Sequence, residues 1–151
     1  MPESNAAYDD TPYPNISHSF THPDRMATLG VLLGMTPTPV EQCRVLELGC
    51  AGGMNLLGIA SGLPGSRFVG IDNSMRQIEE ANIAAEALGI DNVEFLHMNI
   101  LDINPDFGQF DYIIVHGIYS WVPPEVRQKI LEICKQNLTP QGIAYVSYNT
   151  Y

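Results

Sequence analysis

The 151-residue sequence predicts an α/β domain in three layers, a mostly parallel sheet with helices on both faces. Three observations carry this. Short apolar runs alternate with segments of helical periodicity along the chain. The first run, Val45–Leu48, ends in the turn Gly49-Cys50-Ala51-Gly52-Gly53, and a helical pattern starts at Met54. A later run, Tyr112–Val115, is apolar throughout, as expected of a strand covered on both faces.

The elements follow in order. Met1–Ser19 is polar and proline-bearing, with little periodicity, and reads as an arm. Thr21 is an expected N-cap for a helix entered through His22-Pro23-Asp24. Met26, Leu29, Leu32 and Leu33 give that helix an apolar face, and Gly34 ends it. Arg44–Leu48 is the first strand, Met54–Ser61 the next helix and Arg67–Ile71 the second strand. Ser74 and Gln77 have capping-box spacing for a helix that presents Ile78, Ala81, Ala85 and Leu88 and stops at Gly89. Val93–Leu96 and Asp111–Val115 are strands three and four, separated by a segment that is mostly loop. Pro123-Pro124 opens the last helix, with Val126, Ile130, Ile133 and Cys134 inward. Leu138–Gly142 is expected to turn into a fifth strand, Ile143–Tyr148.

The glycine-rich turn is where chemistry is expected. Glycine admits positive φ and places no side chain between backbone and ligand. The helix start that follows favours a carboxylate or phosphate. A dinucleotide fingerprint, Gly-x-Gly-x-x-Gly, is not met: counted from Gly49, its second and third positions are Ala51 and Met54. The pattern acid-x-Gly-x-Gly-x-Gly is met by Glu47, Gly49 and Gly53, with Ala51 as its departure. Asp72 closes the second strand, where folds of this kind bind ribose hydroxyls.

On these residues the chain resembles the class I S-adenosylmethionine methyltransferases, from about His22 to Tyr151. Tyr13-Pro14, Thr21–Arg25, His116–Pro123 and Ser147–Tyr151 further resemble a bacterial group in which the catalytic domain precedes a regulatory domain and some members methylate protein lysines. The resemblance implies a Rossmann-like three-layer sandwich with strand order 3-2-1-4-5-7-6, truncated here after the fifth strand. Residues 1–20 would be an N-terminal arm, with Tyr13 and Pro14 over the cofactor mouth, and 21–151 the N-terminal part of the S-adenosylmethionine-binding domain. A fifth strand left at the edge would pair with another chain, in a homodimer or a swap.

The resemblance also implies a site. Gly49, Cys50, Ala51 and Gly53 would approach the methionine part of the cofactor through backbone, and Glu47 would hold its ammonium; the competing reading makes Glu47 a strand-end acid bonded to backbone amides. Asp72 would accept both ribose hydroxyls, against a reading as a helix-capping acid. Asn73 and Ser74 would flank the adenine, although Ser74 is also explained as a cap. Asn99 stands where the family usually has an acid facing the adenine amino group, with Ile100 beside it. Met75 either packs on the adenine or joins the core. His116 is the candidate for cofactor contact and for the base that deprotonates an acceptor amine; it also reads as a structural histidine. Tyr119 and Trp121 either wall an alkyl-ammonium channel or pack under the Pro123 turn.

Composition bounds the partners. Seventeen acidic against seven basic residues give a net charge of −10, which opposes nucleic acid and suits a cationic protein or a small-molecule acceptor. No basic-then-apolar leader and no bilayer-length apolar run occur, so no membrane partner is expected. Cys43, Cys50 and Cys134 have no metal-ligand spacing and read as thiols in a cytoplasmic protein. The histidines are too scattered for a metal site. The rival functions are cofactor binding without transfer, for want of downstream parts, and a nicotinamide dinucleotide domain.

Overall fold

A computed structural model describes residues 15–150. Tyr13, Pro14 and the rest of the arm before Asn15 lie outside the described residues, as does Tyr151.

Among the described residues, four helices and five strands alternate as expected. They are α1 (Pro23–Leu32), β1 (Arg44–Leu48), α2 (Met54–Gly62), β2 (Arg67–Asp72), α3 (Met75–Leu88), β3 (Val93–His97), β4 (Phe110–Val115), α4 (Pro124–Gln136) and β5 (Leu138–Val146). The strands form one sheet in the order β3-β2-β1-β4-β5, and every pairing is parallel. Two 3-10 turns, Ile100–Asp102 and Pro105–Phe107, occupy the segment between β3 and β4.

Side-chain alternation divides the core into two faces. Val45, Phe68, Tyr112 and Ile114 meet Met26 of α1, Leu56 and Leu57 of α2, and Ala81 and Ala85 of α3. Leu46, Leu48, Ile113 and Val115 meet Ile130 and Ile133 of α4 on the opposite face. Register is level at the carboxyl end, because Leu48 of β1 pairs with Ile71 of β2 and with Val115 of β4. The Gly49 turn, Asp72 and His116 therefore emerge on one rim.

Three local expectations are corrected. Thr21 is not the cap of α1. It is fully buried in a 3-10 turn, and His22 takes the cap position, its Nδ1 accepting from the Asp24 amide at 3.2 Å. Leu29, Leu32 and Leu33 are exposed, at 60%, 77% and 82%. Helix α1 docks through Met26 and Gly30 instead; a Cβ on Gly30 would stand 2.7 Å from Cδ1 of Ile143, so only glycine lets β5 come that close. Leu88 of α3 is likewise exposed. The fifth strand begins earlier than expected, at Leu138. Leu138 pairs with Phe110 and Ile143 with Tyr112, so residues 139–142 bulge out opposite Asp111. The Thr-Pro-Gln-Gly run that suggested a turn is this excursion inside the strand.

Candidate cofactor cleft and its rim

The carboxyl rim holds a cleft of about 380 Å³. Gly49 and Ala51 form one side and Asp72 and Asn73 the edge; Met98, Asn99 and Ile100 lie at one end, and His116 and Gly117 at the other. A second, smaller pocket of about 50 Å³ lies on the other side of the turn, bounded by Asn15, His18, Glu47, Cys50, Asn55 and His116. Gly49, Ala51 and His116 border both.

The turn is built on left-handed backbone. Gly49 has φ +72°, Ala51 +49° and Gly53 +78°, so Ala51 adopts the conformation that its glycine counterpart would take. Its amides are largely committed. Gly49 N and Cys50 N both donate to Ile71 O at 2.9 Å, Ala51 N donates to Asp72 Oδ2 at 3.0 Å, and Gly53 N donates to Cys50 O at 3.0 Å. At those positions the turn offers a bare surface rather than spare donors. Gly53 reaches neither pocket: a Cβ there would stand 2.5 Å from Cζ of Phe95 and 2.9 Å from Cβ of Ala81. Its glycine lets α2 seat against the sheet and α3.

Asp72 faces the cleft with both oxygens partly engaged. Oδ1 accepts from Ser74 N at 2.9 Å and Oδ2 from Ala51 N at 3.0 Å. An ionised carboxylate has about four acceptor positions, so each oxygen retains capacity for a hydroxyl donor. The helix-capping reading does not hold, because Ser74 is the cap of α3; Asp72 braces the turn and lines the cleft. Beyond it, Ser74 caps α3 by accepting from Gln77 N at 3.4 Å, and both residues also border the cleft.

At the Asn99 end, the side-chain carbonyl of Asn99 accepts from Leu101 N at 2.9 Å and starts the 3-10 turn. Ile100, Met98 and Leu101 supply apolar surface beside it. Met75 is half-exposed and does not line the cleft; Met98 stands there in its place.

Glu47 is 4% exposed and points from β1 into the smaller pocket. Its Oε1 accepts from Asn55 Nδ2 at 2.7 Å, while Oε2 is buried with no partner among the described residues. Burial pushes its carboxyl up to about 8; the Asn55 bond opposes this and the charge of Asp72 adds to it. The expected alternative, an acid bonded to backbone amides, is not what the structure shows: its partner is a side chain.

His116 closes the opposite side. Its Nδ1 is buried without a partner among the described residues, and burial, followed by the nearby His18, lowers its pKa from the usual histidine value. It is thus a neutral imidazole at pH 7. His18 meets it edge-on at 4.4 Å between centroids and Phe20 at 5.1 Å, with Tyr145 of β5 at 6.0 Å. Past His116, Gly117 N donates to Ser147 Oγ at 2.8 Å and Asn149 N to Ser120 Oγ at 2.7 Å. Two sequence motifs far apart in the chain are thereby tied into one wall. Arg127 holds the same loop, donating to Val122 O at 2.9 Å and to Ser120 O at 3.2 Å. Tyr119 does not line the cleft; it packs on the apolar cluster below, and Trp121 is 63% exposed. The wall is Ile118, Val122 and Val126, which sequence reasoning did not assign to the site, reading Val126 as core.

Among the described residues, no lysine or arginine lines either pocket. The carboxyl groups present are those of Asp72 and Glu47, and an ammonium beside the buried Oε2 of Glu47 would favour its ionised form. These residues fit a nucleoside that carries positive charge.

The parallel sheet, the acid-bearing glycine turn and the aspartate after β2 define a nucleoside-binding Rossmann-like domain. The family model described as a methyltransferase domain matches residues 39–150, and the chain belongs to that family, among the class I S-adenosylmethionine-dependent methyltransferases. An uncharacterised protein of Rickettsia prowazekii is 50% identical over 143 residues, which is 95% of this chain and 26% of that protein. A second from the same organism is 44% identical, with 95% of this chain matched to 58% of its length. Among solved structures, PKMT2 from Rickettsia typhi in complex with AdoHcy superposes with a TM-score of 0.89 at 45% identity, over 92% of this chain and 27% of that one. An S-adenosylmethionine-dependent methyltransferase from Thiobacillus denitrificans in complex with S-adenosyl-L-homocysteine gives 0.62 at 29% identity, over 95% and 55%. The chain thus spans between about a quarter and somewhat over half the length of these relatives.

Proposed function

We propose that this chain is the cofactor-binding part of a methyltransferase that acts on a nucleophile of a protein, such as a lysine amine, or of a small molecule. The observation that carries the placement is the buried, unpartnered Oε2 of Glu47 on the same rim as Asp72. S-adenosylmethionine bound there supplies an electrophilic methyl group on its sulfonium. The chain's own residues do the rest. Glu47 accepts from the ammonium, Gly49 and Ala51 leave room for the amino-acid tail, and Asp72 accepts from the ribose. Asn73, Asn99 and Ile100 border the base. Gly53 shapes the turn from behind, and Cys50 borders the small pocket beside Glu47.

His116, which borders the cleft, is our candidate to accept a proton from an acceptor amine, which must lose one to become nucleophilic. Tyr119 acts only through the loop it anchors. The apolar wall of Ile118, Val122 and Val126 keeps water from the methyl group.

The test is a titration of the full chain with S-adenosylmethionine and with NADH. The expected result is a preference for S-adenosylmethionine, with Asp72→Ala losing about 1.5–3 kcal/mol, roughly ten- to 150-fold in Kd. A preference for NADH, or unchanged affinity in Asp72→Ala, overturns the reading. Cofactor binding without transfer is the competing reading, favoured by the share of the relatives that this chain spans. Methyl transfer by the 151-residue chain alone rules it out. Among the described residues β5 pairs only with β4, and its other edge is read as the contact of a homodimer or a swap in the cytoplasm. Sedimentation at a monomer's mass across micromolar concentrations would count against that edge pairing.

A further inference from the structure

We infer that Asn55 is a positioning residue that locks the segment Asn15–Thr21 to Glu47, so that filling the small pocket and seating His18 on His116 are one event. The inference rests on the cofactor reading above and deepens it.

Asn55 is 6% exposed, on the first turn of α2. Its side chain is divided between two partners of different kind. Nδ2 donates to Glu47 Oε1 at 2.7 Å, and Oδ1 accepts from the His18 amide at 2.8 Å. Thr21, fully buried, bridges to the same amide group from the other end of the segment: Asn55 Nδ2 donates to Thr21 Oγ1 at 3.0 Å, while Thr21 Oγ1 lies 3.2 Å from Asn55 Oδ1. The segment is fastened again at its start. Asn15 Oδ1 accepts from Met54 N at 3.1 Å, and Asn15 Nδ2 donates to Gly52 O at 3.2 Å. Asn15–Thr21 is therefore strapped across the glycine turn at both ends, and Asn55 is the buried clamp.

An amide has distinct donor and acceptor ends, which gives the clamp a direction. With Oδ1 committed to His18 N, Nδ2 must face Glu47. That fixes Oε1 as the accepting oxygen and leaves Oε2 buried, without a partner among the described residues, in a residue that borders the small pocket together with His116. The groups that face Glu47 are Asp72 from β2, Cys50 from the turn, His116 from the end of β4, His18 from the strap and Asn55 from α2. Of the ionisable ones, Asp72 and Cys50 carry negative charge when ionised and the two histidines positive. An ammonium at Oε2 favours the carboxylate, strengthens the Nδ2 contact and so holds His18 and Phe20 on His116. Burial of Glu47 sets the pH range in which this occurs, with cofactor affinity rising between pH 6 and 8 as the carboxyl ionises.

Two variants separate the halves of the clamp. Asn55→Asp keeps an oxygen for the His18 amide but sets a carboxylate against Glu47. Asn55→Ala removes both contacts. The readouts are S-adenosylhomocysteine affinity from pH 6 to 8.5 and amide hydrogen exchange of residues 15–21, both on the full chain. In Asn55→Asp the His18 amide is expected to exchange within about threefold of the wild-type rate, while affinity at pH 7 falls at least tenfold and the rise with pH moves to higher pH. In Asn55→Ala affinity falls and exchange through 15–21 quickens at least tenfold. Wild-type affinity and pH profile in Asn55→Asp would overturn the inference. So would a His18 amide as slow in Asn55→Ala as in the wild type, a result that needs no ligand. A wild-type chain that binds no S-adenosylhomocysteine at any pH would instead overturn the cofactor reading, and the link to pocket filling with it.

Discussion

Ala51 holds φ +49° inside a turn whose flanking left-handed positions are glycine. An L-residue there costs about 1–2 kcal/mol, partly offset because glycine has more freedom to lose on folding. Ala51→Gly is therefore expected to stabilise the chain by about 0.5–1 kcal/mol, visible as a rise of roughly 1–3 °C in thermal melting. The departure from the glycine pattern was readable in the sequence; that the backbone keeps the glycine conformation was not. Glu47 was equally readable as an acid at a strand end, but its partner was not, because Asn55 lies on the next element. Its carboxyl is raised from 4.5 to about 8, so its contribution to stability is fully present below pH 4.5 and is lost as pH rises towards 8. Glu47→Gln has no such loss. The melting temperature of the variant, relative to wild type, should climb between pH 5 and pH 8; a difference that stays flat would show that Glu47 ionises without penalty.

Elements followed their periodicity except where another element decided. The apolar stripe of α1 suggested burial of Leu29, Leu32 and Leu33, yet they are exposed because Gly30 meets Ile143 of β5, a contact no local pattern encodes. The start of β5 was hidden by Pro140 and Gly142, which signal a turn even when it sits within a strand as a bulge. Gly53 illustrates the opposite case, a glycine expected at a ligand that serves the join between elements. Gly53→Ala adds a methyl group at positive φ against Phe95 and Ala81. Strain of about 1–2 kcal/mol and overpacking of about 1–3 kcal/mol together predict a loss of roughly 2–5 kcal/mol in denaturant unfolding.

The whole sheet was legible as parallel and covered on both faces, since apolar runs alternate with helices. Its order β3-β2-β1-β4-β5 agrees with the order that the family resemblance implied; periodicity alone would not have supplied it. The rim was legible for the same reason: Gly49, Asp72, Asn99 and His116 each follow closely on an apolar run. Ile118, Val122 and Val126 were not, because apolar residues in a loop and on a helix look like any other core. A ligand that fills this rim binds only the folded chain. S-adenosylhomocysteine at a hundred times its Kd should add about 2.7 kcal/mol, or roughly 5–10 °C in melting temperature, and no shift would mean that the rim stays empty.

The central place of β1 has a temporal consequence. One edge of β1 is met by β2, which follows soon after it, but the other waits for β4, made much later. On a ribosome adding about 5–20 residues per second, the roughly forty residues between Asp72 and Val115 take about 2–9 s to polymerise. Throughout that interval the nascent chain carries Val45–Leu48, among its most apolar hydrogen-bonding groups, with one side bare. Birth of this protein thus includes a pause during which the middle of the sheet has not yet met its fourth strand.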